Sequence, residues 1–254
     1  MNTQTLQTAP RRSALPRSTA MRLAATEYRR FADAVAELRP DDWAKPTDCT
    51  AWNVHQMVAH TVAMASFAAS VREGGRQRKA AAERLSEGCP FIDALTAHQV
   101  DKYGDNPPER LTRMMTQVAP KAARGRRFTP RFIRNRTMPM PQVVNGVAEW
   151  WTIGFMVDTI LTRDPWMHRI DLARATGRPL VLTAEHDAVI VDDVVAEWAG
   201  RHGSPYRLTL TGPAGGDWSA GEGGTEITAD AIEFCRTLSA RARGDGLLST
   251  QVPF

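Results

Sequence analysis

The sequence lacks any long hydrophobic run: no stretch of its 254 residues approaches the roughly 18 apolar residues that a membrane-spanning helix needs. Its first residues also lack the apolar core of a secretion signal. Its three cysteines, Cys49, Cys89 and Cys235, form no CxxC pair, which excludes a zinc ribbon. An odd number of distant cysteines favours a reducing compartment over a disulfide framework. We therefore predict a cytoplasmic protein without a membrane partner.

Acidic residues are missing from the start of the chain, where the first one is Glu27. Arginines occur in the same segment, a bias that a transit peptide shares. Because the segment has no apolar periodicity, we favour a disordered tail over residues 1–18.

The formal charge of +4 is unevenly placed, because seven basic and no acidic residues lie between Lys121 and Arg136. We predict that this segment is a solvated loop. In the alternative interpretation its positive charge attracts small anions. Phe128 and Phe132 are the only aromatic residues in the segment, which makes it a poor platform for stacking bases. This argues against nucleic acid as a partner.

Several catalytic signatures are absent from the sequence, which contains no GxSxG, GxxxxGK[ST] or HExxH motif. The glycine-rich segment GPAGGDWSAGEGG follows a strand pattern but precedes no clear helix. It therefore predicts a hairpin turn and not a nucleotide-binding loop.

Helical periodicity dominates the chain as far as Gly177. Apolar residues spaced three and four apart predict a first helix over 18–38, stopped by Pro40. Thr50 is a candidate N-cap for a second helix, on which His60 shares an apolar stripe with Met57, Met64, Phe67 and Val71.

Further helical segments follow after a polar stretch at residues 73–90. One is predicted from Phe91, and another opens at Asn106-Pro107-Pro108 and is closed by Pro120. A long apolar segment then covers residues 147–175.

The pattern changes near residue 178. Thr183 can cap a helix through Trp198, with Gly200 just beyond it. PYRLTLTG and TEIT alternate as strands do, and a last helix is predicted from Asp230 to about Ala242. The fold class is therefore predicted as α+β, with a helical domain over 19–177 and a small α+β domain over 178–254.

The clearest chemical signal is the pair Asp164 and His168. Residues four apart share one helix face, so both side chains can reach one ion. Imidazole and carboxylate ligands suit zinc and other divalent first-row metals. With His60 facing inward from another helix, these residues predict a metal site.

Two neighbours of this pair leave alternatives open. Pro165 removes the amide that would bond to Leu161, so the helix either kinks here or begins here with Asp164 as its N-cap. Asp171 either accepts a hydrogen bond from a ligating His168 or forms a surface ion pair with Arg174.

Three segments together carry a resemblance to a known family. TDCTAWNVHQMVAH resembles the start of the metal-binding helix of the mycothiol-dependent maleylpyruvate isomerase family, which belongs to the DinB-like four-helix proteins. RDPWMHRIDLARATGRP resembles that family's second metal motif, with aspartate where the family often has glutamate. The tail, from PYRLTLTGPAGG to LSARARGDGLLSTQVPF, is similar to the family's sterol-carrier-like C-terminal domain.

The resemblance implies a function as well as a fold. By position, His60, Asp164 and His168 would bind a divalent metal such as Zn²⁺, and Arg241 matches an arginine that approaches the site. Mycothiol or a similar thiol would be the cosubstrate of an isomerase or S-transferase acting on a small electrophilic carboxylate. A non-catalytic metal-binding or stress protein on the same scaffold is the alternative. Oligomeric state is not predicted.

Overall fold

The computed structural model describes residues 9–86 and 89–254. Within them it combines many helices with two small sheets, which confirms the predicted α+β class. The chain divides into two compact units, the first ending at Arg178 and the second comprising Pro179–Phe254. We propose that these units correspond to the two predicted domains. No helix of the described residues is long and apolar enough to cross a membrane.

Four helices form the framework of the first unit. They are α1 (Arg17–Ala36), α2 (Val54–Ala69), α5 (Pro108–Arg127) and α8 (Leu161–Thr176). Both α1 and α2 contact α5 and α8, so the four helices surround one core. Its fully buried side chains include Phe31, Met57, Val58, Leu111 and Met115. Burying this apolar surface is the main source of the unit's stability.

Shorter elements complete the first unit. Those between α2 and α5 are α3 (Val71–Glu83) and α4 (Phe91–Gly104). Those between α5 and α8 are α6 (Arg131–Arg134), the hairpin β1 (Gln142–Val144) and β2 (Val147–Glu149), α7 (Ile153–Phe155) and a π-helical turn, Met156–Ile160.

Several predicted boundaries in this unit were wrong. Asn53 and not Thr50 caps α2, because Asn53 and Gln56 form a reciprocal capping box. A new helix starts after Ser70, so Val71 leaves the α2 stripe and is 91% exposed. The polar stretch from residue 73 forms most of α3 because Ser70 caps it.

The basic segment is also not the predicted loop. Pro120 lies inside α5, which continues to Arg127, and α6 follows almost at once. Pro107 and Pro108 sit at the start of α5, as predicted. A single proline costs a helix one hydrogen bond, and packing of α5 against α1 and α2 outweighs that cost here.

The start of the chain differs from the predicted tail where it is described. Residues 1–8 lie outside the described residues. The backbone of Arg11 hydrogen-bonds to Trp150 and Thr152, and its guanidinium pairs with the buried Glu149 at 2.9 Å. Arg17 and Ser18 already belong to α1. Pairing with a partner 138 residues away orders this segment, and sequence periodicity does not report such a contact.

The second unit contains a three-stranded sheet and two helices. Strand β3 (Tyr206–Thr211) is central, antiparallel to β4 (Gly216–Ala220) and parallel to β5 (Thr225–Asp230). Its helices are α9 (Val189–His202) and α10 (Ala231–Leu238). Both predicted strands and the hairpin turn between β3 and β4 are confirmed, although the predicted turn segment also contains β4.

The predicted helix ends in this unit were misplaced. Helix α9 runs through Gly200 and ends at His202, and its C-cap is Gly203, whose φ of 63° lies in the left-handed region that glycine tolerates. The last helix was predicted from Asp230, which is the N-cap of α10, but α10 ends at Leu238 and Ala240 adopts a φ of 62°. Arg241 therefore follows the helix instead of lying within it.

Candidate metal centre

Helices α2 and α8 bring His60, Asp164 and His168 together. The Oδ1 atom of Asp164 lies 3.2 Å from Nε2 of His60 and 3.5 Å from Nε2 of His168. Two ligands of a tetrahedral ion with bonds of about 2.0–2.2 Å are about 3.3–3.6 Å apart. Both distances are therefore close to those that one shared ion requires.

The second oxygen of Asp164 indicates that His60, Asp164 and His168 suit a metal ion. Among the described residues, Oδ2 of Asp164 is buried and has no hydrogen-bond partner. A buried unpaired carboxylate oxygen is costly unless a cation satisfies it. Both histidines are buried beside it, so two imidazoles and one carboxylate form a donor set suited to Zn²⁺ or a similar ion.

The site is also polarised electrostatically. Burial raises the pKa of Asp164, but the neighbouring charge of His60 and the hydrogen bonds from both histidines outweigh it and hold that pKa well below its usual range. Burial lowers the pKa of His168, but hydrogen bonds to Asp164 and Asp171 raise it well above its usual value. The site thus favours positive charge on His168 beside an ionised Asp164 carboxylate.

Asp171 orients His168. Its carboxylate is fully buried and accepts a hydrogen bond from Nδ1 of His168 at 3.0 Å. Because Asp171 is fully buried, the alternative of a surface ion pair does not describe it, and Arg174 pairs with Asp48 at 2.7 Å. The contact from Asp171 keeps the proton on Nδ1 and leaves Nε2 to face Asp164.

Helix α8 continues through Pro165, so Asp164 is not its N-cap. The carbonyl of Leu161, which cannot receive an amide hydrogen bond from Pro165, accepts one from Nη1 of Arg126 at 2.7 Å. Arg126 also donates to the carbonyl of Val157 and the hydroxyl of Thr162. A buried arginine therefore supports the turn of α8 that presents Asp164.

Arg134, from the same basic segment, is also used inside the unit. Together with Arg17 it pairs with Asp158, which is fully buried in the π-helical turn before α8. The predicted anion-attracting role is therefore wrong for Arg126 and Arg134, whose charges serve the fold. Arg124 and Arg127 are exposed.

A buried amide relay, which the sequence did not predict, fixes His60. The amide of Gln77 donates to the carbonyl of Ala63 at 3.0 Å, and a carbonyl can only accept. The oxygen of Gln77 must then accept from Gln99 at 2.8 Å, which turns the oxygen of Gln99 toward Nδ1 of His60 at 2.9 Å. The relay therefore places a proton on Nδ1 and directs Nε2 at Asp164.

Replacing Gln99 by methionine is expected to weaken Zn²⁺ binding about 10- to 100-fold, the usual cost of losing a partner behind a metal ligand. Methionine has nearly the volume of Gln99 but lacks the amide oxygen that accepts the hydrogen bond from Nδ1 of His60. The measurement is a competition titration of zinc against a chromophoric chelator.

The matched control is Gln142→Met, because Gln142 is another buried glutamine and donates to the carbonyls of Met140 and Pro141. If Gln99→Met and Gln142→Met bound zinc equally well, the relay would stabilise the fold without contributing to metal affinity.

A loop before α2 covers the site and was also missed. Pro46 and Asn53 pair across its base, and Thr47 donates to the carbonyl of Trp52 at 2.8 Å. The indole of Trp52 then lies 4.9 Å from the ring of His60. The same loop places Cys49 near His168.

Arg241, the proposed catalytic arginine, belongs to the second unit. Its backbone amide donates to the carbonyl of Arg236, which closes the turn after α10. Its assignment to the reaction depends on the family resemblance and stays a prediction.

The metal-centre region coincides with a family match. Residues 24–173 match the mycothiol maleylpyruvate isomerase N-terminal domain. No curated protein sequence matches the chain.

Two crystal structures are similar in fold: mycothiol-dependent maleylpyruvate isomerase, at 16% identity, and a histidine-to-alanine variant of it, at 15%. Each match covers 90% of both chains with a TM-score of 0.56. At this identity they establish a shared fold. The family match spans more than half of the sequence and includes His60, Asp164 and His168. The chain therefore belongs to the mycothiol maleylpyruvate isomerase N-terminal domain family.

Proposed function

We propose that this protein is a metal-dependent enzyme that uses a low-molecular-weight thiol, mycothiol or a close relative, to isomerise a small unsaturated carboxylate. His60, Asp164 and His168 are the proposed ligands of a divalent ion, with Zn²⁺ as the leading candidate. The single observation that carries the proposal is the carboxylate of Asp164, whose Oδ1 faces both imidazoles and whose Oδ2 is buried without a hydrogen-bond partner among the described residues. The similar solved structures are of a mycothiol-dependent maleylpyruvate isomerase, which supports this substrate class.

When bound, such an ion lowers the pKa of a coordinated thiol, so that thiolate is available near neutral pH. Thiolate addition to a cis double bond, rotation and loss of the same thiolate give the trans isomer without consuming thiol. Retention of the adduct instead gives an S-transferase.

The chain's own residues prepare this chemistry. Asp171 and Gln99 hold protons on the Nδ1 atoms of His168 and His60. Trp52 packs beside both imidazoles and limits access of water from that side. Arg241 stays the proposed catalytic arginine, because its position matches that of an arginine in the family.

We also propose that the protein works in the cytoplasm. Cys49, Cys89 and Cys235 form no disulfide among the described residues. Free thiols fit a reducing compartment, where a thiol cosubstrate stays reduced.

The proposal is tested by turnover of maleylpyruvate with mycothiol, using protein loaded with one equivalent of zinc. Multiple turnovers that need both thiol and metal are expected. Uptake of thiol or substrate in one equivalent, without turnover, would identify a metal-dependent binding protein instead. Protein that stays metal-free after zinc is supplied would overturn the metal assignment itself.

A further inference from the structure

The imidazole of His168 faces a different set of groups on each of its two nitrogens. Its Nε2 faces Asp164, as described above. Its Nδ1 faces Asp171 at 3.0 Å and the sulfur of Cys49 at 4.0 Å. The Cys49 sulfur lies 3.5 Å from Oδ2 of Asp171, so these three atoms form a triangle on the Nδ1 side of the ring.

The triangle has the dimensions of a metal site. With a metal–sulfur bond of about 2.3 Å and metal–nitrogen or metal–oxygen bonds of about 2.0–2.2 Å, tetrahedral ligand atoms lie about 3.3–3.7 Å apart. The three distances, 3.0, 3.5 and 4.0 Å, come within about half an ångström of this range. Small rotations of the three side chains would therefore suffice to enclose an ion.

We propose that Cys49, His168 and Asp171 form a second metal site, selective for thiophilic divalent cations such as Cd²⁺. The thiolate sulfur is a soft ligand, whereas His60 and Asp164 supply only nitrogen and oxygen. The inference needs only these three residues, so it goes beyond the proposed function and does not depend on it.

The local backbone holds the thiol in place. The carbonyl of Cys49 accepts from the amide of Trp52 at 2.7 Å and from the hydroxyl of Thr47 at 3.2 Å. Asp171 and His168 are on one face of α8, three residues apart, and both are buried. Cys49 itself is partly exposed, which gives an ion a route from solvent.

Sharing His168 makes the two sites compete. An ion on Nδ1 displaces the proton that Asp171 holds there, and the Cys49 thiol releases its own proton to solvent. The neutral imidazole then carries its proton on Nε2, where it points at Asp164 and blocks that ligand position. A thiophilic cation at the second site is therefore expected to displace the ion bound by His60, Asp164 and His168.

The test is a titration of metal-free protein with Cd²⁺, followed by the ultraviolet sulfur-to-cadmium charge-transfer band. The wild type is expected to develop the band at one equivalent. Cys49→Ser is expected to lose it and to bind Cd²⁺ at least about 10-fold more weakly. His60→Ala should retain the band, because His60 is not part of this triangle.

A Cys89→Ser variant is the matched control, since Cys89 donates to the carbonyl of Pro90 and lies outside the cluster. A band that persists in Cys49→Ser, or that disappears in Cys89→Ser, would overturn the proposal. Loss of the band in His60→Ala would also overturn it, because the sulfur signal would then belong to the first site. Failure of the proposed isomerase would appear separately, as missing turnover in zinc-loaded protein.

Discussion

Replacing His168 by alanine is expected to weaken Zn²⁺ binding by more than about 100-fold, beyond the loss that follows removal of an outer contact. His168 is one of only two imidazoles in the first site, and Asp164 cannot replace its nitrogen. Wild-type protein should gain about 2.7 kcal/mol of stability when free zinc reaches 100 times its dissociation constant. At the same zinc concentration the variant should gain almost none, as thermal unfolding with and without zinc will show.

Two matched variants separate ligation from general damage. Asp171→Asn keeps His168 but weakens its orienting contact, so an intermediate loss of about 10- to 100-fold is expected. His55→Ala removes another histidine of α2, which binds the carbonyl of Asn106 and not the metal centre. If zinc stabilised His168→Ala as much as it stabilises His55→Ala, the assignment of His168 as a ligand would be contradicted.

The metal response should also depend on pH in a definite direction. Since hydrogen bonds to Asp164 and Asp171 raise the pKa of His168 in the metal-free protein, protons compete with zinc for Nε2. Zinc affinity should therefore fall as the pH falls through that raised pKa. Zinc titrations at several pH values will measure the slope.

The sequence was sufficient to place the proposed ligands on their helices and to offer Asp171 as a partner of His168, but not to find what orients His60. Spacing of four put Asp164 and His168 on one face, and apolar neighbours turned His60 inward; both positions follow from local periodicity. Gln77 and Gln99 belong to α3 and α4, and their contacts join residues 22 apart. Hydrogen-bonded polar pairs of this kind produce no periodic pattern in the sequence. In addition, no helix was predicted for the stretch that contains Gln77.

The predictions made from Pro120 and from the basic run were wrong for a related reason. A proline rule looks only at neighbouring residues, whereas Pro120 and Pro165 are both accommodated inside helices by tertiary contacts. A run of basic residues predicts solvent exposure, yet Arg126 is almost fully buried. At Pro165 the two features meet, because the buried Arg126 supplies the donor that this proline cannot.

Replacing Arg126 by methionine is expected to destabilise the protein by about 2–4 kcal/mol. Two buried acceptors, on Leu161 and Thr162, and the partly buried carbonyl of Val157 lose their donor. Each buried group left unsatisfied costs about 1–3 kcal/mol, and relief from burying the charge offsets part of that cost. Urea unfolding with an unchanged m-value will measure the difference. Arg127→Met, at an exposed neighbour on the same helix, should change stability by less than about 0.5 kcal/mol.

The decisive variant adds Pro165→Ala to Arg126→Met. Alanine restores an amide that can donate to Leu161, so the double variant should recover about 1 kcal/mol of the lost stability. In the wild-type background Arg126 already donates to the carbonyl of Leu161. Pro165→Ala alone should therefore not produce a comparable gain in stability. If the two substitutions add without coupling, the carbonyl of Leu161 does not link them and Arg126 stabilises α8 by packing alone. Coupling of the expected sign would show that α8 carries a proline beside Asp164 because a buried guanidinium takes over the missing hydrogen bond.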